Sequence, residues 1–245
     1  MTDFALSLTD IGRTFRNGRV TRAVQGISLD IKPGEFFVFV GLSGSGKSTI
    51  LRMMSGLDRP TVGKVHLGEG IGPNDINFVF QQFALLPWLT VRENVELGLI
   101  GRGVPEHDRR RRAYAELELL GLGKHTESLP RELSGGQRQR VGIARALVTK
   151  PKILFMDEPF SELDSVTADQ LRLDLLRIWE EQKFTVVLVT HILSEAVQLA
   201  DRIAVLQANP GHISRIFDNH LSRPRVMRSP EAFALEDQLR SHLVT

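Results

Sequence analysis

One stretch constrains the possible folds of this chain more than any other. Residues 41–49 read Gly-Leu-Ser-Gly-Ser-Gly-Lys-Ser-Thr, between the apolar run 36–40 and the apolar-rich run 50–54. This order predicts a strand, a glycine-rich loop and a helix, in which loop N–H groups and the helix N-terminus surround a phosphate chain. Lys47 is placed to reach the β- and γ-phosphates, and the Ser48 hydroxyl to bind Mg²⁺. A purely structural turn would require neither side chain, so the stretch predicts a nucleoside triphosphate site. The residues expected to contact the nucleotide here are Gly41, Ser43, Gly44, Ser45, Gly46, Lys47, Ser48 and Thr49.

Composition narrows the function classes. The 245 residues are 42% hydrophobic and 24% charged, which is ordinary for a globular protein. The formal net charge is only +2, so the chain lacks the strong positive field of a dedicated nucleic-acid-binding protein. The absence of cysteine excludes a disulfide framework and a thiolate metal site. The first residues show no leader pattern, and no apolar run approaches the roughly 20 residues of a membrane helix, so a soluble or peripheral protein is expected.

Hydrophobic patterns along the chain predict an α/β fold. Short alternating runs with a hairpin turn at Asn17-Gly18 predict an antiparallel β subdomain ahead of the phosphate loop, at residues 4–9, 20–24 and 27–31. Continuous apolar runs separated by helical patterns predict a buried, largely parallel sheet with right-handed crossovers. Those runs lie at 36–40, 76–80, 153–157, 185–190 and 202–206.

The region from about residue 83 to 150 has a different character and predicts an α-helical insertion. Thr90 and Glu93 form a capping-box pattern at the start of one helix, and Pro105 opens a second. Four consecutive arginines, 109–112, lie in that second helix. Consecutive helix positions point in different directions, so these arginines predict a solvated face rather than a phosphate site. They are expected to be balanced by Glu106, Asp108 and Glu116.

Polar residues follow the ends of several predicted strands, where ligands of parallel sheets bind. Gln81, Asp157, Glu158 and His191 all fall at such positions. Asp157 is predicted to hold Mg²⁺, directly or through water, and Glu158 to accept a proton from, or orient, the water that attacks the γ-phosphate. Alternatively, Asp157 and Glu158 are two solvated acids at a strand end. The presence of the phosphate loop makes this the weaker interpretation. From the residues alone, His191 is better explained as a hydrogen-bonded histidine at a strand end.

Two further features remain open on residue patterns alone. Residues 133–137 read Leu-Ser-Gly-Gly-Gln ahead of a helical pattern. Ser134 is there either an N-cap or part of a second anion site formed by unshielded N–H groups. Phe15 is either a core aromatic or a platform on which a nucleotide base stacks, and composition favours the core.

The order of these motifs strongly resembles that of the ATP-binding subunits of ABC transporters across about residues 4–220. The matching motifs are the phosphate loop, Gln81, residues 133–137, Asp157-Glu158, residues 161–164 (Ser-Glu-Leu-Asp) and His191. Further stretches look like the importer subgroup for nitrate, aliphatic sulfonates and taurine, at 85–91, 157–160, 210–211 and 223–225. The resemblance implies a P-loop NTPase (RecA-like) core with an N-terminal antiparallel β subdomain and an inserted α-helical subdomain. The ATP-binding domain would span 1–220, with the helical subdomain at about 83–150 and a short C-terminal tail at 221–245.

The resemblance also implies roles for individual residues. Two subunits would sandwich two ATP molecules, with four residues of one facing the γ-phosphate that Lys47 of the other holds: Ser134, Gly135, Gly136 and Gln137. Phe15 becomes the expected adenine-stacking residue, and Asp164 an element of the dimer contact. Gln81 becomes a contact of Mg²⁺ and water that senses the membrane partner. His191 becomes a hydrogen-bond partner of the γ-phosphate.

The sequence departs from the family pattern at two positions. Glu162 stands where alanine is usual, so a charge is expected near the subunit interface, and Ile192 stands where aspartate is common. The loop that ends in Leu85-Leu86-Pro87-Trp88 is an apolar cluster at the edge of the helical insertion, and the resemblance implies that a short helix of the permease docks there. Leu85 is expected to belong to the core.

Taken with the resemblance, the residues predict a Mg-dependent ATPase that powers uptake of a small anion such as nitrate, an aliphatic sulfonate or taurine. Its catalytic residues would be Lys47, Gln81, Glu158 and His191, and its Mg²⁺ ligands Ser48, Gln81 and Asp157. The expected partners are a second copy, transmembrane permease subunits and, indirectly, a solute-binding protein, at the cytoplasmic face of the inner membrane. An export or lipid-handling cassette is the nearest alternative. A soluble nucleic-acid-associated ABC ATPase would need a long coiled-coil insert or a second cassette, which this sequence lacks.

Overall fold

The computed structural model describes residues 3–243 of the chain. Its strands are β1 (Leu6–Asn17), β2 (Arg19–Ile31), β3 (Phe36–Gly41), β4 (Val62–Leu67), β5 (Ile76–Val79), β6 (Ile153–Asp157), β7 (Thr185–Thr190), β8 (Arg202–Gln207) and β9 (His212–Asp218). Its helices are α1 (Lys47–Met54), α2 (Val91–Ile100), α3 (Glu106–Leu119), α4 (Gly135–Leu147), α5 (Ser165–Gln182), α6 (Leu193–Leu199) and α7 (Pro230–Leu243). Within residues 3–243, no helix is both long enough and apolar enough to cross a membrane.

The first strands form the expected antiparallel sheet. β1 and β2 are a hairpin that turns at Gly18, whose φ of 75° lies in the left-handed region that glycine adopts without steric cost. β4 pairs antiparallel with the other edge of β1, which gives the strand order β2-β1-β4. The short runs expected at 20–24 and 27–31 are parts of one strand, β2, and the pairing register shifts along the hairpin.

The larger sheet positions the phosphate loop. Its strand order is β5-β6-β7-β3-β8-β9, and all neighbours are parallel except β8 and β9. β3 and β7 are buried at every residue, which explains why both are continuous apolar runs. The predicted α/β fold with a parallel core is confirmed. β9 was not predicted, because only Phe217 of this edge strand is buried and its sequence shows little periodicity.

The apolar core lies on both faces of the larger sheet. Phe36, Val38 and Val40 point to one face and join the cluster formed with α2 to α7. Phe37 and Phe39 point to the other face, where α1 and the smaller sheet pack. The strand that leads into the phosphate loop is therefore anchored by packing on both sides.

The helical insertion begins as predicted. The Thr90 hydroxyl accepts the Glu93 N–H at 3.2 Å, and the Glu93 carboxylate accepts the Thr90 N–H at 2.8 Å, which completes a capping box at the start of α2. α3 follows Pro105. The insertion packs against α5 and the larger sheet through the same apolar cluster as β3.

The arginine run on α3 is paired with acids, but one expected acid is not among them. Arg110 pairs with Glu106 at 2.7 Å and Arg111 with Asp108 at 3.0 Å, whereas Arg109 lies 3.4 Å from a carboxylate of α2. The prediction for Glu116 was wrong: within the described chain one of its carboxylate oxygens is buried without a hydrogen-bond partner, and burial raises its pKa. Its position explains this, because it lies three residues after the buried Ala113 and four residues before the buried Leu120, which directly follows α3.

The residues after β9 return to the core. α7 buries two apolar side chains in the main cluster. The Asn219 amide and the Arg225 guanidinium donate to the Val197 carbonyl at 2.8 and 2.9 Å, and Arg223 donates to the Leu199 carbonyl. These side chains supply donors to the carbonyl groups that the C-terminal end of α6 leaves without intrahelical partners.

Candidate functional site

The loop between β3 and α1 has the backbone shape that the glycine pattern predicts. Gly46 precedes α1 with a φ of 88°, and a Cβ at this position would lie 3.0 Å from the Ala23 carbonyl oxygen of β2. A Cβ at Gly41 would collide with the Ser45 hydroxyl and lie 2.9 Å from the Leu206 carbonyl oxygen. Both positions therefore require glycine. α1 has no side-chain cap, so its first-turn N–H groups are available to an anion.

Lys47 is buried at the start of α1 and directed back over the loop. Its ammonium group donates to the Gly41 carbonyl at 2.9 Å and to the Leu42 carbonyl at 3.1 Å. It also lies 3.5 Å from a Glu158 carboxylate oxygen. The loop thus holds a positive charge beside its own backbone and the N-terminus of α1, where a phosphate chain would require it.

Ser48 and Asp157 meet across the gap between α1 and β6. The Ser48 hydroxyl donates to Asp157 Oδ1 at 2.9 Å. Burial raises the pKa of Asp157, the hydrogen bond from Ser48 opposes that shift, and the neighbouring Glu158 charge adds to it. The residues described contain no cluster of three or more His, Asp or Glu side chains that could enclose a metal ion. One hydroxyl and one carboxylate still fit Mg²⁺, which takes few protein ligands and completes its shell with phosphate oxygens and water.

Glu158 and His191 form the next contact along the same edge of the sheet. His191 Nδ1 lies 2.9 Å from Glu158 Oε2, so the carboxylate is held between the imidazole and the Lys47 ammonium. Glu158 has a φ of 43°, a left-handed conformation that costs a non-glycine residue on the order of 1 kcal/mol. Its N–H donates to the Val189 carbonyl of β7 at 3.0 Å. Glu158 thus follows the last residue of β6, remains bonded to β7 through its N–H, and presents its side chain toward Lys47.

Gln81 lies at this edge beyond β5, and its role as a contact of Mg²⁺ and water stays a prediction. In the described chain, its amide nitrogen lies 3.4 Å from the Ser161 hydroxyl, which in turn donates to the Glu158 carbonyl at 3.0 Å. Gln81 is therefore connected to the backbone of Glu158 rather than to the Ser48–Asp157 pair. Ser161 was missed as a site residue from the sequence, although it lies within the Ser-Glu-Leu-Asp motif.

The residues 133–137 form a separate contact region. Ser134 is the N-cap of α4, with its hydroxyl accepting the Gln137 N–H at 3.3 Å and its own N–H donating to the Gln137 side chain at 2.8 Å. A Cβ at Gly136 would collide with the methyl group of Thr167, so α4 begins tightly against the start of α5. Asp164 caps α5 by accepting the Thr167 N–H at 3.0 Å, and the hydrogen bonds that its carboxylate receives from Thr167 lower its pKa. Ser134 and Asp164 are both exposed.

Phe15 lies on β1 and does not belong to the apolar clusters of the described chain. Its ring is half-buried, and the Arg13 guanidinium lies over the ring with its carbon 4.9 Å from the ring centroid. The prediction from composition that Phe15 belongs to the apolar core is therefore wrong. A role as a stacking platform stays a prediction.

A buried polar network lies behind His191 and was missed from the sequence. The Thr190 hydroxyl donates to Glu195 at 2.6 Å and accepts the Ile192 N–H at 3.0 Å. Glu195 also accepts from Arg172 of α5 at 3.0 Å. Burial raises the pKa of Glu195, and both the Thr190 hydrogen bond and the Arg172 charge act in the opposite direction. Ile192 provides no side-chain cap for α6, so the Thr190 hydroxyl satisfies the N–H that follows His191.

The loop before α2 presents an exposed indole. Trp88 is 71% exposed, whereas Leu85 is partly buried against the main cluster, as expected. Asn94 of α2 is fully buried and holds the loop: its amide nitrogen donates to the carbonyls of Leu86, Leu89 and Thr90 at 3.1, 3.1 and 2.9 Å. Its oxygen accepts the Leu86 N–H at 2.8 Å.

Glu162, the position where alanine is usual, is exposed beside this loop. It lines a surface pocket of about 380 Å³ together with Gln82, Phe83 and Arg138. The Arg138 guanidinium covers the Phe83 ring, with its carbon 5.2 Å from the ring centroid. A negative charge therefore lies where the helical insertion meets the segment that follows β5.

Comparisons with known proteins agree with this geometry. The nitrate import ATP-binding protein NrtD of Synechocystis sp. is 42% identical over 252 residues, which cover 97% of this chain and 94% of the relative. The aliphatic sulfonates import ATP-binding protein SsuB 1 of Agrobacterium fabrum is 44% identical over 239 residues, which cover 98% and 83%. A dimeric structure of the ATP-binding cassette MJ0796, in a post-hydrolysis state bound to ADP and Pi, has a TM-score of 0.79 at 37% identity and covers 88% of this chain and 99% of its own. The family model of the ABC transporter matches residues 24–161. The predicted resemblance is confirmed, and this chain belongs to the ABC transporter family.

Proposed function

We propose that this chain is the ATP-hydrolysing subunit of an importer for a small anion. The observation that carries the proposal is one continuous set of contacts at the carboxyl edge of the parallel sheet. Ser48 contacts Asp157, and Lys47 and His191 both contact Glu158. A phosphate-binding loop, a metal-binding pair and a carboxylate held beside them are the parts that phosphoryl transfer to water requires.

Each of these side chains has a separate task in the proposed reaction. Lys47 and the loop N–H groups bind the β- and γ-phosphates of ATP. Ser48 and Asp157 would hold Mg²⁺, which supplies charge neutralisation of the phosphate oxygens when bound. Glu158 orients the attacking water or accepts its proton. His191 fixes the Glu158 carboxylate and donates a hydrogen bond toward the γ-phosphate. Gln81, through Ser161, links the Glu158 backbone to the segment that leads toward Trp88.

We further propose that the complete site needs a second copy of the chain. Residues Ser134 to Gln137 form the start of α4 and Asp164 caps α5, with Ser134 and Asp164 both exposed. Among the residues described, the Ser134 hydroxyl hydrogen-bonds only with the Gln137 N–H. Those helix starts can supply N–H groups to a γ-phosphate held by the partner. The dimeric arrangement of the MJ0796 cassette supports this composite site.

The importer role places the subunit on the cytoplasmic face of the inner membrane, bound to permease subunits and served indirectly by a solute-binding protein. The exposed Trp88 loop supports a docking role, because an indole that stays 71% exposed is available to an apolar partner surface. The names of the two import relatives support nitrate or an aliphatic sulfonate as the solute. Taurine, which is itself an aliphatic sulfonate, is the third candidate.

Substitution of Glu158 by Gln tests the catalytic part of the proposal. Glu158→Gln is expected to bind Mg-ATP with unchanged affinity, to lose hydrolysis and to accumulate as an ATP-bound dimer in size-exclusion chromatography. Near-normal turnover by this variant would remove Glu158 from its role. The solute is tested separately: uptake of labelled nitrate, taurine and an alkanesulfonate is compared in host cells with and without the gene, and the transported solute is the one whose uptake is lost.

A further inference from the structure

We propose that Arg172 is a positioning residue that holds Glu158 and His191 in their relative geometry through two independent contacts. The proposal rests on the catalytic roles proposed above for Glu158 and His191. Arg172 lies on α5, and the contacts described for residues 3–243 include none between its side chain and that of Glu158 or His191. It acts on the backbone segments that carry them.

The first contact acts on the segment that carries Glu158. The Arg172 guanidinium carbon lies 5.6 Å from the centroid of the Phe160 ring, and this ring is buried. Phe160 follows Glu158 by two residues, in the turn where Glu158 adopts its left-handed backbone conformation. A strained turn persists only where its surroundings fix it, and the ring anchored on Arg172 is one such constraint.

The second contact acts on the segment that carries His191. Arg172 donates to Glu195 at 3.0 Å, Glu195 accepts the Thr190 hydroxyl at 2.6 Å, and that hydroxyl accepts the Ile192 N–H at 3.0 Å. The residues on both sides of His191 are thereby tied to one carboxylate. Because Ile192 cannot cap α6, this network is what fixes the turn between β7 and α6.

Burial makes both contacts persistent. Arg172 is 9% exposed, Glu195 2% and Thr190 1%, so water does not compete for their hydrogen bonds. Arg172 also donates to the Gln198 side chain at 2.7 Å, and Gln198 lies three residues after Glu195 on the same face of α6, so two residues of α6 fix the orientation of the guanidinium. A buried ion pair is weak evidence for stability alone, since apolar side chains of similar volume often replace such pairs without loss. The Arg172–Glu195 pair lies between the segments that carry Glu158 and His191, and this placement indicates that its role is to fix the relative positions of those two side chains.

The test uses Thr190, because its hydroxyl can be removed without changing the side-chain shape. The full-length chain and each variant are assayed for Mg-ATP hydrolysis and ATP affinity at a temperature well below unfolding. Thr190→Val is expected to lower kcat about tenfold at unchanged KM and ATP affinity, because small displacements of catalytic groups reduce rate without weakening binding. Thr190→Ser keeps the hydroxyl and is expected to restore kcat.

The paired change tests Arg172 itself. Arg172→Met combined with Glu195→Leu removes both charges, so no unpaired buried charge remains, and it is expected to fold and to lower kcat about tenfold or more at unchanged ATP affinity. Asp169→Asn is the matched control, because Asp169 pairs with Arg172 from the exposed side and does not lead to His191. Its kcat is expected to equal that of the original chain.

Non-additivity separates positioning from general stability. In a His191→Ala background, Thr190→Val is expected to cause no further loss of kcat, because its effect passes through His191. Losses that multiply in the double variant, or full kcat in Thr190→Val, would overturn the inference. If Glu158→Gln and His191→Ala lower hydrolysis while Thr190→Val keeps full kcat, only this inference fails. If Glu158→Gln and His191→Ala both keep full turnover, the proposed function fails and this inference with it.

Discussion

Replacement of Asn94 by Ala should loosen the Trp88 loop while leaving the ATP site intact. The Asn94 side chain is fully buried and makes all four of its hydrogen bonds to backbone groups of residues 86–90. The Ala variant leaves these groups without their side-chain partner. The Leu86 and Thr90 carbonyls keep a backbone donor each, from Leu89 and from residue 94, so the loss is smaller than four full bonds.

The magnitude follows from those contacts. At a net value of about 1 kcal/mol per hydrogen bond, with two carbonyls still satisfied, Asn94→Ala should reduce the free energy of unfolding by about 2–3 kcal/mol. For a chain of this size each kcal/mol corresponds to about 2–4 °C, so the Tm should fall by about 8 °C. A domain stability of about 5–15 kcal/mol leaves the variant folded at 25 °C.

Hydrogen exchange and permease co-purification provide the assay. The amides of residue 86 and of residues 88–90 should exchange faster in Asn94→Ala, with ATP affinity unchanged and co-purification on the permease reduced. Asn74→Ala is the matched control, because it makes the same change at an exposed position in another loop. Unchanged exchange of 86–90, or a Tm equal to that of the control, would refute the reasoning.

Three further outcomes are expected. Trp88→Ala should leave the Tm within a few degrees and ATP binding unchanged, because the indole is 71% exposed. It should reduce permease association about 30-fold, as expected for an aromatic anchor worth roughly 2 kcal/mol. A collapsed Tm would show that Trp88 belongs to the core. Ser134→Arg and Lys47→Ala chains should each be inactive alone, and a mixture should regain hydrolysis because one of its two sites combines intact Lys47 with intact Ser134; no regain would count against the composite site. Asp157→Asn should make the metal-free chain more stable at neutral pH, because burial raises the pKa of Asp157 and the folded state therefore loses stability as the pH rises through that pKa. This gain should vanish below the unfolded pKa of about 3.9. A gain that persists in acid would contradict the burial argument.

The parts of the fold that sequence predicts well are those whose signal is local. The phosphate loop, β3 and α1 are contiguous, and the burial of every residue of β3 is what makes its sequence a continuous apolar run. The capping box at Thr90 is equally local, since its partner is three residues away. The placement of Gln81, Asp157 and His191 at one edge followed from a single rule about parallel sheets.

The parts that sequence could not give depend on contacts between distant segments. Arg172 and Glu195 are 23 positions apart, and nothing in either helix pattern reveals that they face each other. An arginine at 172 among the apolar positions 171, 175 and 178 was a visible signal, but its meaning required a partner. Glu116 was assigned to the solvated face because it is charged, although its spacing from Ala113 and Leu120 places it on the packed face.

The capping of α6 by Asn219, Arg223 and Arg225 sets the shortest form in which this cassette can be produced. A chain ended at residue 220, where the sequence suggests that the ATP-binding domain closes, would lack both arginines and all of α7. The Val197 carbonyl would keep Asn219, but the Gln198 and Leu199 carbonyls would lose their arginine donors in apolar surroundings, and the surface under α7 would be left uncovered. Shortened forms should therefore end no earlier than Leu243, and carboxyl-terminal fusions should be joined after that residue.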